Sequence, residues 1–513
     1  MSTGEVCVQT LHRLRQAGSF RALVEQKCRA AGAGKRIVVD FSSPNVAKQF
    51  HIGNLRSTLI GRYVDKVNRV RGNEVTSVNY LGDWGTQFAM IAAFWPQMRP
   101  SDQYWSSLSD VEKIKQLTDC YVVANKNMKI DEDFRKKVYE TFVSMEKAVM
   151  EGSEKWEDDE NMRLWRQISQ ISRRHLSEFY SLFHIQFDQW LCESSQVRKA
   201  HQCAQELIDK GFTEDLEGRT IVRLRESESE KKKVDGVNYA ILRKSDMSSL
   251  YLTREIAAIL ERDEMFHADR YLYVVDRAQR QHFKALKVIL EKMGKVDLAA
   301  KIEHVQYGRV RGLSTRNGRT ESVGEIIEKG RELALQFMKS SKTFCMDPEV
   351  ENEISNVLSL STVIFNELKR ARNSEYEFSF QNAFALNQNN ALSLQMKHSR
   401  LSSIEEKNQH LMPLLENCDK FPDYEMNDDV RRLIRLLNDL EEAVELSAEK
   451  LEACQLTVQL IQVAAAVGSV QKQLRVKDQP NDVAVPRLLL FSAVRNVLFE
   501  GLLLLGITPA RSM

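Results

Sequence analysis

The sequence predicts an α/β protein: a parallel-sheet domain split by a mostly helical insertion and followed by an all-helical C-terminal region. Three observations point there. Ile37-Val38-Val39 with Phe41, and Tyr271-Leu272-Tyr273-Val274-Val275, are short apolar runs bounded by turn residues, as expected of buried parallel strands. A third run, Val75–Val78, leads into the glycine-punctuated stretch Gly82-Asp83-Trp84-Gly85, which is what a doubly wound sheet needs at its ligand edge. From about residue 325 apolar residues recur at helical spacing, as in Leu358, Leu360, Val363, Ile364 and Leu368, and again in Leu433, Ile434, Leu436 and Leu437.

Composition bounds the function. With 513 residues, 43% hydrophobic content and 9 Pro, the chain has material for several cores and roughly three domains. A formal net charge of +2 gives no overall polyanion signal, so any nucleic-acid face has to be local. The eight cysteines are scattered without a Cys-x-x-Cys pair, which argues for reduced thiols and against a zinc site. No apolar run approaches the ~20 residues that span a bilayer, so a soluble chain is expected.

Taken in order, residues 1–35 are basic and acid-poor, a composition shared by mitochondrial transit peptides and by basic helical arms that touch nucleic acid. Residues 36–95 form the first half of the catalytic domain. After the strand at 37–41, Leu55, Leu59 and Ile60 return at helical spacing, so Gly53-Asn54 falls where a loop becomes a helix. A helix start offers free N–H groups and the positive end of the dipole to a polyphosphate. Gly53, lacking Cβ, lets a nucleotide base approach the backbone, and His51 and Asn54 add side-chain donors. This stretch reads as an ATP site.

Residues 96–235 read as the insertion, with Trp156, Trp165, Phe179, Tyr180, Leu182 and Phe187 as its core and Glu226–Lys233 as a solvated loop. The catalytic domain resumes over 236–325, starting at Tyr239. Tyr251 and Glu255 lie one helical turn apart, so a phenol and a carboxylate can face one pocket. That pairing suits the donors and fixed charge of a guanidinium. A linker over 326–375 and a helical domain over 376–513 complete the chain. Lys397, His398 and Arg400 lie in it; the resemblance given below makes them its candidates for RNA contact, since unstacked bases are held by cations and planar groups.

Several of these motifs resemble one family. Ser-Pro-Asn-Val-Ala-Lys at 43–48, followed by His51-Ile52-Gly53-Asn54, resembles the HIGH signature of class I aminoacyl-tRNA synthetases in its arginyl-tRNA synthetase form, with Asn54 in place of the usual second His. Gly82–Gly85 and Tyr251-Leu-Thr-Arg-Glu255 are similar to further arginyl elements, Glu255 standing where Asp is usual. Gly308–Gly318 falls where the class carries its mobile KMSKS loop; Ser314, Arg316 and Gly318 fit, while Gly312 and Thr315 replace the two lysines. Residues 391–404 and the tail 504–513 resemble the family's C-terminal domain.

The resemblance implies a Rossmann-type catalytic domain, an anticodon-binding helical bundle, and ATP-dependent charging of tRNA(Arg) with L-arginine. It also implies roles. His51, Gly53, Asn54, Ser314 and Arg316 would bind ATP, and Asp40, Ser43, Asn45, Tyr251, Glu255 and Gln279 would hold arginine. Lys48 would replace the missing loop lysine, making His51, Asn54 and Lys48 the catalytic set. Mg²⁺ is expected with ATP, without a protein metal cage. A monomer of the mitochondrial matrix is the expected setting, with the cytoplasm as alternative. An inactive, tRNA-binding relative is the competing reading, motivated by Asn54 and the absent loop lysines; Tyr251 and Gln279 speak against it.

Overall fold

The computed structural model describes residues 3–30, 34–47, 50, 52–152, 156, 159–224, 238–311, 323–339, 348–384 and 390–510. Of the residues singled out above, Lys48, His51, Gly312, Ser314, Thr315, Arg316 and Gly318 lie outside them, as does the charged run at 226–233. The chain divides into two compact units, one made of Arg36–Phe50 and Thr76–Gln306, the other of Met1–Lys35, His51–Val75 and Tyr307–Met513.

The strands are β1 (Arg36–Asp40), β2 (Glu74–Leu81), β3 (Gln189–Cys192), β4 (Glu214–Leu216), β5 (Arg219–Arg223), β6 (Tyr239–Arg243), β7 (Arg270–Asp276), β8 (Ile302–Tyr307), β9 (Val310–Arg311) and β10 (Tyr376–Glu377). A five-stranded sheet in the order β3-β2-β1-β7-β8 organises the first unit. β1 and β7 run parallel with Val38 opposite Tyr271 and Asp40 opposite Tyr273, and β2 and β3 run parallel with Leu81 opposite Cys192. Ile37, Val38 and Val39 are buried, because a parallel strand covered on both faces has no solvent side. Helices Val197–Asp209, Tyr251–Phe266 and Arg280–Lys292 supply Leu207, Ile256 and Leu286 to one core with Val38, Val78 and Tyr271.

Two boundaries differ from the sequence reading. β3 lies inside the stretch assigned to the insertion, yet it is the edge strand of the main sheet. A half-buried run of only four residues inside a helical stretch carries almost no periodic signal. Conversely, β6 pairs antiparallel with β5 in a separate three-stranded sheet, so the main sheet is rejoined at β7 and not at Tyr239. The insertion's helices are Asp110–Ile130, Glu132–Glu151 and Glu160–Leu182. Their starts carry the expected caps: Ser109 and Glu112 form a capping box, and Asp131 and Asp159 each accept a backbone N–H. Trp165, Phe179 and Tyr180 are buried as expected, whereas Leu182, at the end of its helix, is exposed.

The second unit is helical. The helix Ile52–Val70 is tied into it by its polar residues: Arg56 donates to the carbonyls of Arg372 and Ser374, and Arg62 donates to that of Gly506. Residues 1–35, read as resembling a transit peptide, are largely built into this unit. Helices Thr3–Arg15 and Ser19–Ala30 bury Leu11, Leu14, Phe20, Leu23 and Val24, and Asn496 donates to the carbonyls of Leu14 and Gln16. Arg13 and Arg21 are exposed on the outer side of this amphipathic pair. Helix Ala453–Gln473 is long and apolar enough to cross a membrane by length and composition, with half of its apolar window buried in the protein.

Candidate active site

The carboxyl ends of β1, β2, β3 and β7 converge on one place, the crevice where open α/β sheets bind ligands. The loop leaving β1 is strained there. Ser42, Ser43 and Ala47 all have positive φ, at 67°, 39° and 62°, which non-glycine residues adopt only when their surroundings compel it. Those surroundings are visible: Ser42 Oγ lies 2.6 Å from the Tyr180 hydroxyl, Ser43 Oγ donates to Asp40 at 2.6 Å, and the Ala47 N–H donates to Ser172. Ser43 Oγ also accepts from the Tyr80 N–H, linking β1 to β2.

Gly82 has a steric reason to be glycine. A Cβ there would lie 2.3 Å from Asn45 Oδ1 and 3.3 Å from Asn45 Cα, while the Gly82 N–H and carbonyl bond to Pro44 and Val46. Its neighbours Asp83 and Trp84 face inward. Asp83 accepts from the N–H and hydroxyl of Ser194, and its carbonyl accepts from Trp165 Nε1 at 2.6 Å. The turn that the sequence placed at the site lining therefore contributes its backbone, and its side chains brace β3 and the insertion.

Behind the loop lies a buried charge cluster. Arg262, two helical turns beyond Glu255, is almost fully buried, with Nη1 at 2.9 Å from Asp40 Oδ2 and 3.6 Å from Glu255 Oε1. The same nitrogen donates to the Tyr273 hydroxyl at 2.9 Å, and the guanidinium stands 4.6 Å from the centre of the Tyr80 ring. Glu193, directly after β3, receives Arg254 Nε at 2.7 Å. Asp40, Glu193 and Glu255 are thus three buried carboxylates facing two chain guanidiniums, Arg254 and Arg262. Glu255 Oε1 and the Tyr80 hydroxyl are buried without a hydrogen-bond partner.

The electrostatics follow. Burial raises the Asp40 and Glu193 carboxyls, with Arg262 and Arg254 respectively opposing it. Glu255 is pushed up to about 7 by burial, Arg262 lowering it and Asp40 raising it further. Burial works against the charge of Arg262, and Tyr273, Asp40 and Glu255 more than offset this, holding its pKa above the usual guanidinium value. Tyr251 opens the helix that carries Glu255; the residue is 45% exposed, and its ring lies tilted against that of His282 with centroids 4.8 Å apart. Burial of its hydroxyl, then Glu255 and Glu193, keep it protonated well above the ordinary tyrosine range. Among the described residues, a protonated phenol and a carboxylate oxygen without a hydrogen bond thus adjoin a buried charge cluster in which Arg262 Nε and Nη2 are also without partners.

The structure thus brings together Asp40, Ser43, Tyr251 and Glu255 from the sequence reading. Asn45 holds the Gly82 turn, and Gln279 is exposed just past β7. Gly53 and Asn54 stand in the first turn of helix Ile52–Val70, where Thr58 Oγ1 donates back to the Asn54 carbonyl. Glu193 and Arg262, neither assigned to the site from the sequence, belong to the cluster. Their signals were a carboxylate directly after an edge strand and an Arg seven residues after Glu255 on the same helical face. In the helical unit, His398 is corrected as an RNA contact: it is buried, with Nδ1 2.9 Å from the Ala510 carbonyl. Lys397 is half-buried and its pKa is lowered by burial and by Arg400 and Lys472, while Arg400 is exposed.

Comparison with known proteins gives the class. The profile for "tRNA synthetases class I (R), catalytic domain" matches residues 20–380, and that for "DALR anticodon binding domain" matches 394–513. The chain is 32% identical over 93% of its length to 78% of a Mus musculus protein described as "Probable arginine--tRNA ligase, mitochondrial". It is 29% identical over 93% of its length to 77% of the cytoplasmic arginine–tRNA ligase of Saccharomyces cerevisiae. Its fold is similar to that of the arginyl-tRNA synthetase of Plasmodium falciparum, with a TM-score of 0.74 at 22% identity, covering 96% of this chain and 82% of that one. A parallel sheet with this crevice and an anticodon-binding helical domain is the architecture of a class I aminoacyl-tRNA synthetase. Within that class, the chain belongs to the arginyl-tRNA synthetase family.

Proposed function

We propose that this chain activates L-arginine with ATP and transfers it to the 3′-terminal adenosine of tRNA(Arg), working as a monomer in the mitochondrial matrix. The observation that carries the choice of amino acid is the charge imbalance among Asp40, Glu193, Glu255, Arg254 and Arg262, with Glu255 Oε1 left without a hydrogen bond. The substrate guanidinium supplies the missing cation, between Glu255 and Tyr251. Ser43, Asn45 and Gln279 lie at the carboxyl edge of the sheet, where they serve the arginine head group.

The arginine carboxylate attacks the ATP α-phosphate in line, giving arginyl-adenylate and pyrophosphate, and the terminal ribose hydroxyl then attacks the arginyl carbonyl, forming the ester and releasing AMP. Side chains do little covalent work; they position reactants and neutralise developing phosphate charge. Gly53 and Asn54, at the start of their helix, with His51, Ser314 and Arg316, bind ATP, and Lys48 takes the part of the absent loop lysine. Mg²⁺ enters with the ATP phosphates; among the described residues no cluster of His, Cys, Asp or Glu is placed to hold a metal. Lys397 and Arg400 contact the tRNA from the helical domain.

An aminoacylation assay tests the reading, offering arginine, lysine and citrulline with cytosolic and mitochondrial tRNA pools. Arginine alone is expected to be charged, with the mitochondrial pool preferred. Citrulline, which matches arginine in shape but lacks the charge, is the decisive competitor. Charging of citrulline at a rate near that of arginine would remove the basis of the proposal, and preference for cytosolic tRNA would overturn the compartment.

A further inference from the structure

The pocket presents a physical problem: it is built to attract a guanidinium, and it contains Arg254, immediately before Glu255 in the chain. Arg254 lies among the same carboxylates and is 5% exposed. What keeps it out of the substrate's position is a tether that leads away from the pocket into the insertion. Its Nη1 donates to the Ser249 carbonyl at 2.7 Å and to Ser249 Oγ at 2.9 Å, while Nε donates to Glu193. Ser249 is itself held by Glu146, on the insertion helix Glu132–Glu151: its N–H and its hydroxyl both donate to Glu146 Oε1, at 3.0 and 2.6 Å.

The direction of the hydroxyl proton matters. A serine hydroxyl has one proton, and giving it to Glu146 leaves the oxygen lone pairs turned to Arg254. Glu146 is 5% exposed, and the same oxygen lies 2.9 Å from His201 Nε2, so its position is fixed from two elements. Burial raises its carboxyl pKa, but the bonds from His201 and Ser249 outweigh that and bring it below the usual carboxylate value. It is therefore a charged acceptor through the neutral range, although nothing in the chemistry of the reaction requires it.

We infer that Glu146 is a positioning residue for arginine selection: through Ser249 it holds Nη1 of Arg254, whose Nε bonds Glu193, so that the pocket's own guanidinium does not occupy the substrate's place beside Glu255. This rests on the arginine pocket proposed above. Without the tether, Arg254 swings toward Glu255 and competes with the ligand, which weakens arginine binding without touching the ATP side.

The test is steady-state aminoacylation by the full-length wild-type enzyme and by Glu146→Ala, Glu146→Gln and Ser249→Ala, with melting temperatures measured alongside. Glu146→Ala and Ser249→Ala are expected to raise the arginine KM about tenfold or more, with kcat and the ATP KM within about twofold of wild type. Glu146→Gln keeps an oxygen acceptor for Ser249 and restores most of the affinity. A folded Glu146→Ala enzyme with the wild-type arginine KM overturns the inference, as does an equal rise in both KM values. Should Glu146→Ala fail to fold, Ser249→Ala decides by the same two criteria. If the wild-type enzyme does not charge arginine, it is the pocket assignment that fails, and the two failures are told apart.

Discussion

Arg262 Nη1 lies 3.6 Å from Glu255 Oε1, yet that oxygen has no hydrogen bond, because the same nitrogen is committed to Asp40 at 2.9 Å and to the Tyr273 hydroxyl. Arg262 stabilises the ionised form of Glu255 without saturating it. In the arginine pocket proposed above, the substrate guanidinium meets the residual demand of this carboxylate.

A pH dependence follows. Glu255 stands at about 7 in the folded protein, raised by burial from an ordinary value near 4.5. The folded state thus binds this proton more tightly than the unfolded chain does, so the group's contribution to stability is full below its unfolded pKa and is lost as pH rises through 7. Arginine binding needs the ionised form and runs the other way. The arginine KM is expected to fall as pH goes from 6 to 8 and then level off, while the ATP KM changes little; KM measured across this range checks it. A flat arginine profile would show that Glu255 does not titrate against the ligand.

Gly82 and Asn45 give a steric prediction. The Cβ of Gly82→Ala would lie 2.3 Å from Asn45 Oδ1, so the amide must move. Overpacking of this kind costs ~1–3 kcal/mol. The melting temperature is expected to drop and, on the proposed role of Asn45 at the arginine head group, kcat/KM for arginine to fall by roughly tenfold. Unchanged kinetics would mean that Asn45 is only part of the scaffold.

The N-terminal helices give a third. Leu14 is completely buried, and its carbonyl accepts from Asn496. Leu14→Ala should lose ~2–5 kcal/mol of unfolding free energy in a denaturant titration, as large-to-small core changes do. The folded fraction should keep its arginine KM. A wild-type midpoint would mean that residues 3–30 do not support the fold.

How much of this was legible beforehand depends on burial and periodicity. β1 and β7 were readable because β-branched and aromatic runs of their length have no helical period to confuse them. β3 was not: Gln189-Trp190-Leu191-Cys192 is short, half-buried and set among helices, and with it Glu193 was missed as a pocket carboxylate. Tyr251 and Glu255 were found through the resemblance of residues 251–255 to an arginyl element, with which their one-turn spacing agrees, whereas Arg262 was passed over because an Arg on a helix is usually a solvated residue. His398 failed for the same reason in reverse: on a basic-looking helix it is the residue turned inward, with Nδ1 against the Ala510 carbonyl. Residue chemistry indicated the ligand, but pairing within the pocket needed the tertiary structure.

The most direct test of the account is the arginine dependence of Glu255→Gln. Glutamine keeps the shape and removes the charge, so a guanidinium loses its unpaired carboxylate partner, a change worth ~3 kcal/mol or more for a buried pair. The account predicts an arginine KM raised roughly a hundredfold, with the ATP KM within about twofold of wild type. An arginine KM near wild type, or a comparable rise for both substrates, would contradict it.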